Sequence, residues 1–143
     1  MIESSEYIKI VNDYFGFLIT EFNFKLLTEK VRGNAFYDMQ YVDNSRVISI
    51  SYENIEDYLL VTVFVLQNGE MPDYDDKTKT LHLKQLNSLV IAKASKEAII
   101  LNAEYFARYQ AKNELERKLL KEAKELRLCL KHFNEIYQDE VGN

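Results

Sequence analysis

The spacing of the apolar residues changes twice along this chain, and this change constrains the fold more than any other feature. Apolar side chains recur every three or four residues up to about residue 22, alternate from about residue 24 to residue 66, and return to the helical spacing beyond residue 82. A period of 3.6 residues is typical of helices, and a period of two is typical of strands. The sequence therefore predicts an α+β fold with an N-terminal helix, a four-stranded antiparallel meander and C-terminal helices, one of them long and amphipathic.

The first helix contains one weak point, Gly16. A glycine in a helix interior costs about 1 kcal/mol relative to alanine, so the helix either runs to about Phe22 or ends near Phe15. We expect the longer helix because the apolar stripe continues beyond the glycine. The stripe consists of Tyr7, Val11, Tyr14, Leu18 and Phe22.

Four alternating segments follow, and groups of turn-forming residues separate them. Parallel strands need long crossovers, whereas antiparallel strands can be joined by a few residues, so the short turns indicate an antiparallel meander. The strands are predicted at Phe24–Glu29, Tyr37–Tyr41, Ile48–Tyr52 and Tyr58–Leu66. The turns lie at Arg32-Gly33-Asn34, Asp43-Asn44-Ser45, Glu53-Asn54 and Asn68-Gly69.

The fourth segment differs from the others because it is apolar on both faces. Val61 and Val63 belong to one face, and Leu60 and Phe64 belong to the other. A strand of this kind is normally buried on both sides. We expect the C-terminal helices of the same chain to cover the second face, and the alternative is another subunit.

A short helix is predicted after the polar loop at residues 67–80. Its apolar positions are Leu83, Leu86, Leu89 and Val90, although the alternation from Thr80 to Leu83 is also compatible with a strand. Ser95 is of the residue type that caps helix N-termini, so a further helix is predicted to begin there.

The last segment has the clearest helical pattern, and it extends to about residue 138. Asn113 either caps this helix or lies inside one continuous helix that begins near Ser95. The apolar residues of this segment fall on one face of the predicted helix. They are Leu115, Leu119, Ala123, Leu126, Leu130, Phe133 and Tyr137.

Composition favours one globular domain over residues 1–143. One Pro and four Gly leave no flexible linker, and an aromatic content of 13% argues against disorder. The single cysteine, Cys129, cannot form an internal disulfide and fits a reducing compartment. The N-terminus carries acidic residues where a signal peptide carries basic ones, and no apolar run approaches the about 20 residues that cross a bilayer. We therefore expect a cytoplasmic protein that does not enter a membrane.

No motif with a catalytic or metal-binding mechanism is complete. A calcium loop that began at Asp73 would need a glycine at its sixth position and a glutamate at its twelfth, and the chain has Thr78 and Lys84 there. Cys129 and His132 share the spacing of a zinc-ligand pair, but no second pair accompanies them. No phosphate-binding glycine loop or nucleophile elbow occurs. We expect no catalytic residues, no metal and no cofactor.

The charge is divided unevenly between the two parts of the chain. Residues 1–80 contain 14 acidic and 7 basic residues, and residues 81–143 contain 9 acidic and 11 basic residues. The acidic part repels phosphate backbones and attracts cationic surfaces. The basic residues of the last helix are interleaved with glutamates, whereas nucleic-acid binding favours an uninterrupted basic stripe. We therefore expect a basic protein partner and no nucleic acid.

The acidic loop, together with the tyrosines, is the candidate binding surface. Tyrosine is common at protein interfaces, although it is equally common in strands. Tyr37, Tyr41, Tyr52 and Tyr58 cluster in the predicted sheet. The predicted partner-binding residues are Glu70, Asp73, Tyr74, Asp75 and Asp76.

The predicted layout resembles that of many small bacterial α+β proteins, some of which are immunity proteins that neutralise toxins. The N-terminal helix ending in Phe22-Asn23-Phe24, the meander and the C-terminal helices carry this resemblance. It implies a non-enzymatic, cytoplasmic inhibitor that binds its toxin through an acidic, tyrosine-bearing surface. Two alternatives stay open. One is a homodimer or larger homo-oligomer joined through the fourth strand or the long helix, and the other is an enzyme or small-molecule binder whose site assembles only in three dimensions.

Overall fold

The computed structural model describes residues 1–137, so the last residue of the predicted long helix, Gln138, lies outside the described residues. The chain divides into two compact units, Met1–His82 and a part that begins at Leu83. The expectation of a single domain stays a prediction. The first unit contains α1 (Ser4–Tyr14), α2 (Phe17–Thr20), β1 (Lys25–Arg32), β2 (Phe36–Val42), β3 (Arg46–Glu53), β4 (Tyr58–Val65) and β5 (Thr80–His82). The second contains α3 (Leu83–Lys93), α4 (Lys96–Tyr105), α5 (Glu114–Lys131) and α6 (Phe133–Ile136).

The α+β fold is confirmed, and its sheet has one more strand than the meander predicted from the sequence. The strands lie in the order β1-β2-β3-β4-β5, and every neighbouring pair is antiparallel. The added strand, β5, contains three residues and pairs with Thr62, Val63 and Phe64 of β4. Three alternating residues are too few to distinguish a strand from the start of a helix, so only the pairing with β4 decides their conformation.

The prediction of one helix through Gly16 is wrong. The first helix ends at Tyr14, and α2 begins at Phe17 after a break. Successive residues of a helix are about 100° apart around its axis, so positions 15 and 17 of a continuous helix would point in nearly opposite directions. The break allows Phe15 and Phe17 both to be buried, with ring centroids 6.1 Å apart.

Tyrosines form much of the core of the first unit. Tyr37, Tyr41 and Tyr52 are buried, and the ring of Tyr7 from α1 lies 5.3 Å from that of Tyr37. Their hydroxyl groups have internal acceptors: Tyr7 donates to the carbonyl of Ile50 at 3.0 Å, and Tyr41 donates to the side chain of Asn12 at 2.6 Å. These sheet tyrosines therefore stabilise the core, and the interpretation of the whole cluster as an interface is wrong for these three.

The fourth strand is buried on both faces over part of its length, as its sequence predicts. Val61 and Val63 face one side and Thr62 and Phe64 the other, and all four side chains are buried. The cover of the second face by the C-terminal helices stays a prediction. Because β4 lies between β3 and β5 in the sheet, its Thr62–Phe64 edge is already paired and cannot join two copies of the chain.

Three separate longer helices make up most of the second unit, and residues 106–113 separate α4 from α5. The N-caps predicted from the sequence are confirmed: the Ser95 hydroxyl accepts from the backbone N–H of Ala98 at 3.1 Å, and the Asn113 side chain accepts from that of Glu116 at 2.9 Å. The alternative of one continuous helix is therefore wrong. The buried face of α5 includes Leu119, Ala123, Leu126, Cys129 and Leu130.

Candidate functional site

The acidic segment predicted as a binding surface joins β4 to β5 and leaves the sheet through a tight turn. Asn68 and Gly69 both have positive φ, 53° and 80°, which asparagine and glycine tolerate better than other residues. The flanking Gln67 and Glu70 pair through two backbone hydrogen bonds of 2.8 and 2.9 Å. This turn fixes the position at which the acidic segment begins.

Hydrogen bonds within the loop hold the rest of its backbone. The hydroxyl of Thr80 donates to the carbonyl of Asp73 at 2.9 Å, and the side chain of Pro72 is buried. The Asp76 carboxylate accepts from the hydroxyl and the backbone N–H of Thr78, at 2.6 and 3.0 Å. These bonds from Thr78 hold the pKa of Asp76 below its ordinary value. The loop is thus ordered by its own contacts.

The outward side of the loop combines negative charge with apolar surface. Glu70, Asp73 and Asp75 are exposed, and 61% of Tyr74 and 48% of Met71 are accessible to solvent. The Tyr74 ring also packs edge-on against that of His82, with centroids 6.3 Å apart. Tyr74 therefore has one side supported by β5 and a larger part available to a partner.

The five residues predicted to bind a partner lie together in this loop, but Asp76 has a different role from the rest. Its side chain is only partly exposed and is engaged with Thr78, so it shapes the loop.

Of the tyrosines in the sheet, only Tyr58 is exposed, at 53%. Tyr58 pairs with Glu53, whereas the loop begins beyond Val65, which pairs with Arg46. Tyr58 and the loop are thus at opposite ends of β4.

A row of polar residues crosses the sheet on the face opposite α1, and sequence reasoning did not find it. The register places Gln40 beside Ser49, Ser49 beside Thr62, and Thr62 beside His82. The Asp38 carboxylate accepts from Ser49 at 2.6 Å and from Gln40 at 2.8 Å. Each residue is an ordinary polar position of an alternating strand, so only the pairing of four strands brings them together.

The polar row does not contain an activated nucleophile. Ser49 donates to a carboxylate, and in residues 1–137 no histidine accepts its proton, whereas nucleophilic serines have an adjacent general base. The Nδ1 atom of His82 is buried and has no hydrogen-bond partner among the described residues. The row therefore provides polar side chains but no reactive pair.

Cys129 and His132, the pair with zinc-ligand spacing, are not arranged for chemistry. Burial, followed by the negative charge of Glu125, raises the pKa of the Cys129 thiol to about 12, so the thiol is protonated at neutral pH. His132 instead lies 2.9 Å from the carboxylate of Glu135 through its Nδ1 atom. Across residues 1–137, no group of three or more His, Cys, Asp or Glu side chains could hold a metal ion.

Comparison with known proteins does not place this chain in a family. No protein-family model, curated protein or solved structure matches it. Within the described part of the chain, no helix is both long enough and apolar enough to span a membrane. The residues of the chain itself are therefore the basis for a proposed function.

Proposed function

We propose that this protein is a non-enzymatic protein-binding domain and that the loop between β4 and β5 contacts the partner. One observation carries the proposal: a loop held by its own hydrogen bonds presents Tyr74, 61% exposed, among the exposed carboxylates of Glu70, Asp73 and Asp75. The partner expected from this surface is a protein with a basic contact region.

The physical properties of the loop support this function. An ordered loop loses little conformational entropy on binding, so more of its contact energy contributes to affinity. Tyrosine buries a large area with few rotatable bonds and is frequent among the residues that dominate binding energy. The carboxylates of the loop attract a basic partner and raise its association rate, and added salt weakens that attraction.

The sharpest form of the proposal is an immunity-type inhibitor, as the resemblance to small bacterial α+β proteins implies. Such an inhibitor acts by covering a functional surface of a toxin, so it needs a contact surface and no catalytic residues. A basic toxin would meet the negative loop as a complementary surface.

Photo-crosslinking tests whether the loop contacts a protein. A photoreactive phenylalanine derivative replaces Tyr74 in one variant and Tyr58 in a control variant, since both tyrosines are exposed but lie at opposite ends of β4. We expect a crosslinked protein partner from position 74 and not from position 58, in extract of the source organism. Equal crosslinking from both positions, or none from position 74, contradicts the proposal.

Charge variants then test the electrostatic part. The loop variant E70Q/D73N/D75N and the control variant E3Q/E53Q/E56Q each neutralise three exposed carboxylates of the first unit. We expect the association rate with the captured partner to fall about ten-fold or more in the loop variant and little in the control. The wild-type rate should also fall between about 50 mM and about 500 mM salt. Equal effects of the two triple variants, or no salt dependence, refute electrostatic recognition by the loop.

A further inference from the structure

A second candidate site lies in the helical unit, where an exposed arginine is held between two tyrosines. The Nη2 atom of Arg108 donates to the hydroxyl oxygen of Tyr105 at 3.2 Å and to that of Tyr109 at 3.0 Å. Its guanidinium carbon also lies over both rings, 4.8 and 4.9 Å from their centroids. These contacts fix an exposed side chain that would otherwise sample many rotamers.

Among the described residues, the positive charge of this arginine has no counter-ion. Over residues 1–137, no carboxylate forms a salt bridge with Arg108. By contrast, the exposed Arg117 of the same unit pairs with Glu114 at 2.8 Å. Of these two exposed arginines, only Arg108 is held in place without a carboxylate partner among the described residues.

A second guanidinium, that of Arg127, lies against the same tyrosine ring. Arg127 is buried, lies 3.9 Å over the centroid of the Tyr105 ring, and donates to the side chain of Asn102 at 2.9 Å. Since both arginines contact one ring, their charges are closer together than the Debye length of about 10 Å at 0.1 M salt. Arg127 thus helps to hold the Tyr105 ring that contacts Arg108.

The remaining hydrogen-bond donors of the cluster suit an oxyanion with several oxygen atoms. Nη2 is occupied by the two phenols, which leaves the Nη1 and Nε donors of Arg108. Each phenol accepts from Arg108 through oxygen, and the hydroxyl hydrogen of Tyr105 has no acceptor among the described residues. Hydrogen bonds from a guanidinium to phosphate oxygens are stronger than bonds between neutral groups because both partners are charged.

We propose that Arg108, Tyr105 and Tyr109 form a binding site for a phosphate group, free or carried by a small phosphate ester. Phosphate matches the cluster better than a carboxylate does, because its charge of about −1.5 to −2 at neutral pH is attracted more strongly by the guanidinium of Arg108 than a single negative charge is. This inference does not depend on the proposed function, which concerns residues of the other unit.

The competing explanation is that Arg108 only stabilises the C-terminal end of α4, where a positive charge is favourable. That explanation predicts an effect of Arg108 on stability but no specific binding of phosphate. Binding measured at the side chain itself separates the two explanations.

Titrations followed by nuclear magnetic resonance of the arginine Nε–H groups provide the test. Inorganic phosphate, phenyl phosphate and acetate are added separately at constant ionic strength. We expect saturable shifts of the Arg108 signal with either phosphate compound, with a dissociation constant on the order of 1 mM, and weaker binding of acetate. Tighter binding of phenyl phosphate would identify an ester as the ligand, and equal binding would identify the phosphate group alone; both support the proposal.

Three variants complete the test. R108K keeps a positive charge but loses the Nη1 and Nε donors and the planar group that lies over the two tyrosine rings, and we expect it to weaken phosphate binding about ten-fold. Y105F/Y109F keeps both rings but removes the hydroxyls, and we expect a smaller loss. R117Q removes a neutralised arginine and should have no effect. Shifts of equal size at Arg108 and Arg117, acetate binding as tight as phosphate binding, or unchanged affinity in R108K would each overturn the proposal.

Discussion

Replacing Asn102 should destabilise the helical unit by a predictable amount. The buried Asn102 side chain accepts from Arg127 at 2.9 Å and donates to the carbonyl of Lys124 at 2.9 Å. N102A leaves the buried guanidinium without this acceptor, which costs about 1.5–3 kcal/mol for a bond to a charged group. The bond to Lys124 adds about 1 kcal/mol, and the better helix propensity of alanine returns about 0.5 kcal/mol. We expect a net loss of about 2–3.5 kcal/mol.

Cys129 provides an assay that reports on this unit alone. Its side chain is buried, so a thiol reagent reacts only when the surrounding helices open. When opening and closing are fast relative to the reaction, the labelling rate follows the equilibrium population of the open form. A loss of about 2–3.5 kcal/mol corresponds to labelling that is about 30- to 300-fold faster, since each 1.4 kcal/mol is a factor of about ten.

Two further variants separate the hydrogen bond from other effects of the substitution. E104A changes an exposed residue of the same helix and should alter the labelling rate less than about three-fold. N102D keeps an acceptor for Arg127 and should retain most of the protection. If N102A labels less than about three-fold faster than the wild type, the Asn102–Arg127 bond does not contribute as we argue.

Three other predictions follow from single contacts. N113A should lower the free energy of unfolding by about 1 kcal/mol because α5 loses its cap, with N113S nearly neutral; equal losses in both variants would exclude capping as the cause. G69A should cost about 1–2 kcal/mol in urea unfolding because residue 69 has a φ of 80°, and G69N should cost less; a neutral G69A would contradict the turn conformation. Burial, followed by the hydrogen bond to Asp57, raises the pKa of Tyr52 to about 12. Its contribution to stability is therefore present below about pH 10 and lost as the pH rises through 12. The free energy of unfolding of Y52F should therefore fall less steeply with pH in this range than that of the wild type. Equal slopes for the two proteins would refute this.

The amino-acid sequence by itself determined the features that depend on neighbouring residues. Alternation marks β2 and β3, because successive strand side chains point to opposite faces, and a short run that is apolar on both faces marks β4. Asn68 and Gly69 mark a turn because they tolerate positive φ, and Ser95 and Asn113 mark helix starts because their side chains can accept backbone N–H groups nearby. The acidic loop was equally visible, since its charges are adjacent in the chain.

Only the tertiary structure decided the features that depend on distant residues. The helix breaks before Phe17 because burying Phe15 and Phe17 together outweighs the continued apolar stripe. The strand β5 exists because Thr80–His82 pairs with β4, and three of the sheet tyrosines became core because internal acceptors and packing were available to them. Likewise, the polar row requires four aligned strands. The contact between the Arg127 guanidinium and the Tyr105 ring requires two helices packed together. Local patterns specify conformation, whereas burial and hydrogen-bond partners across the fold select among the alternatives that those patterns leave open.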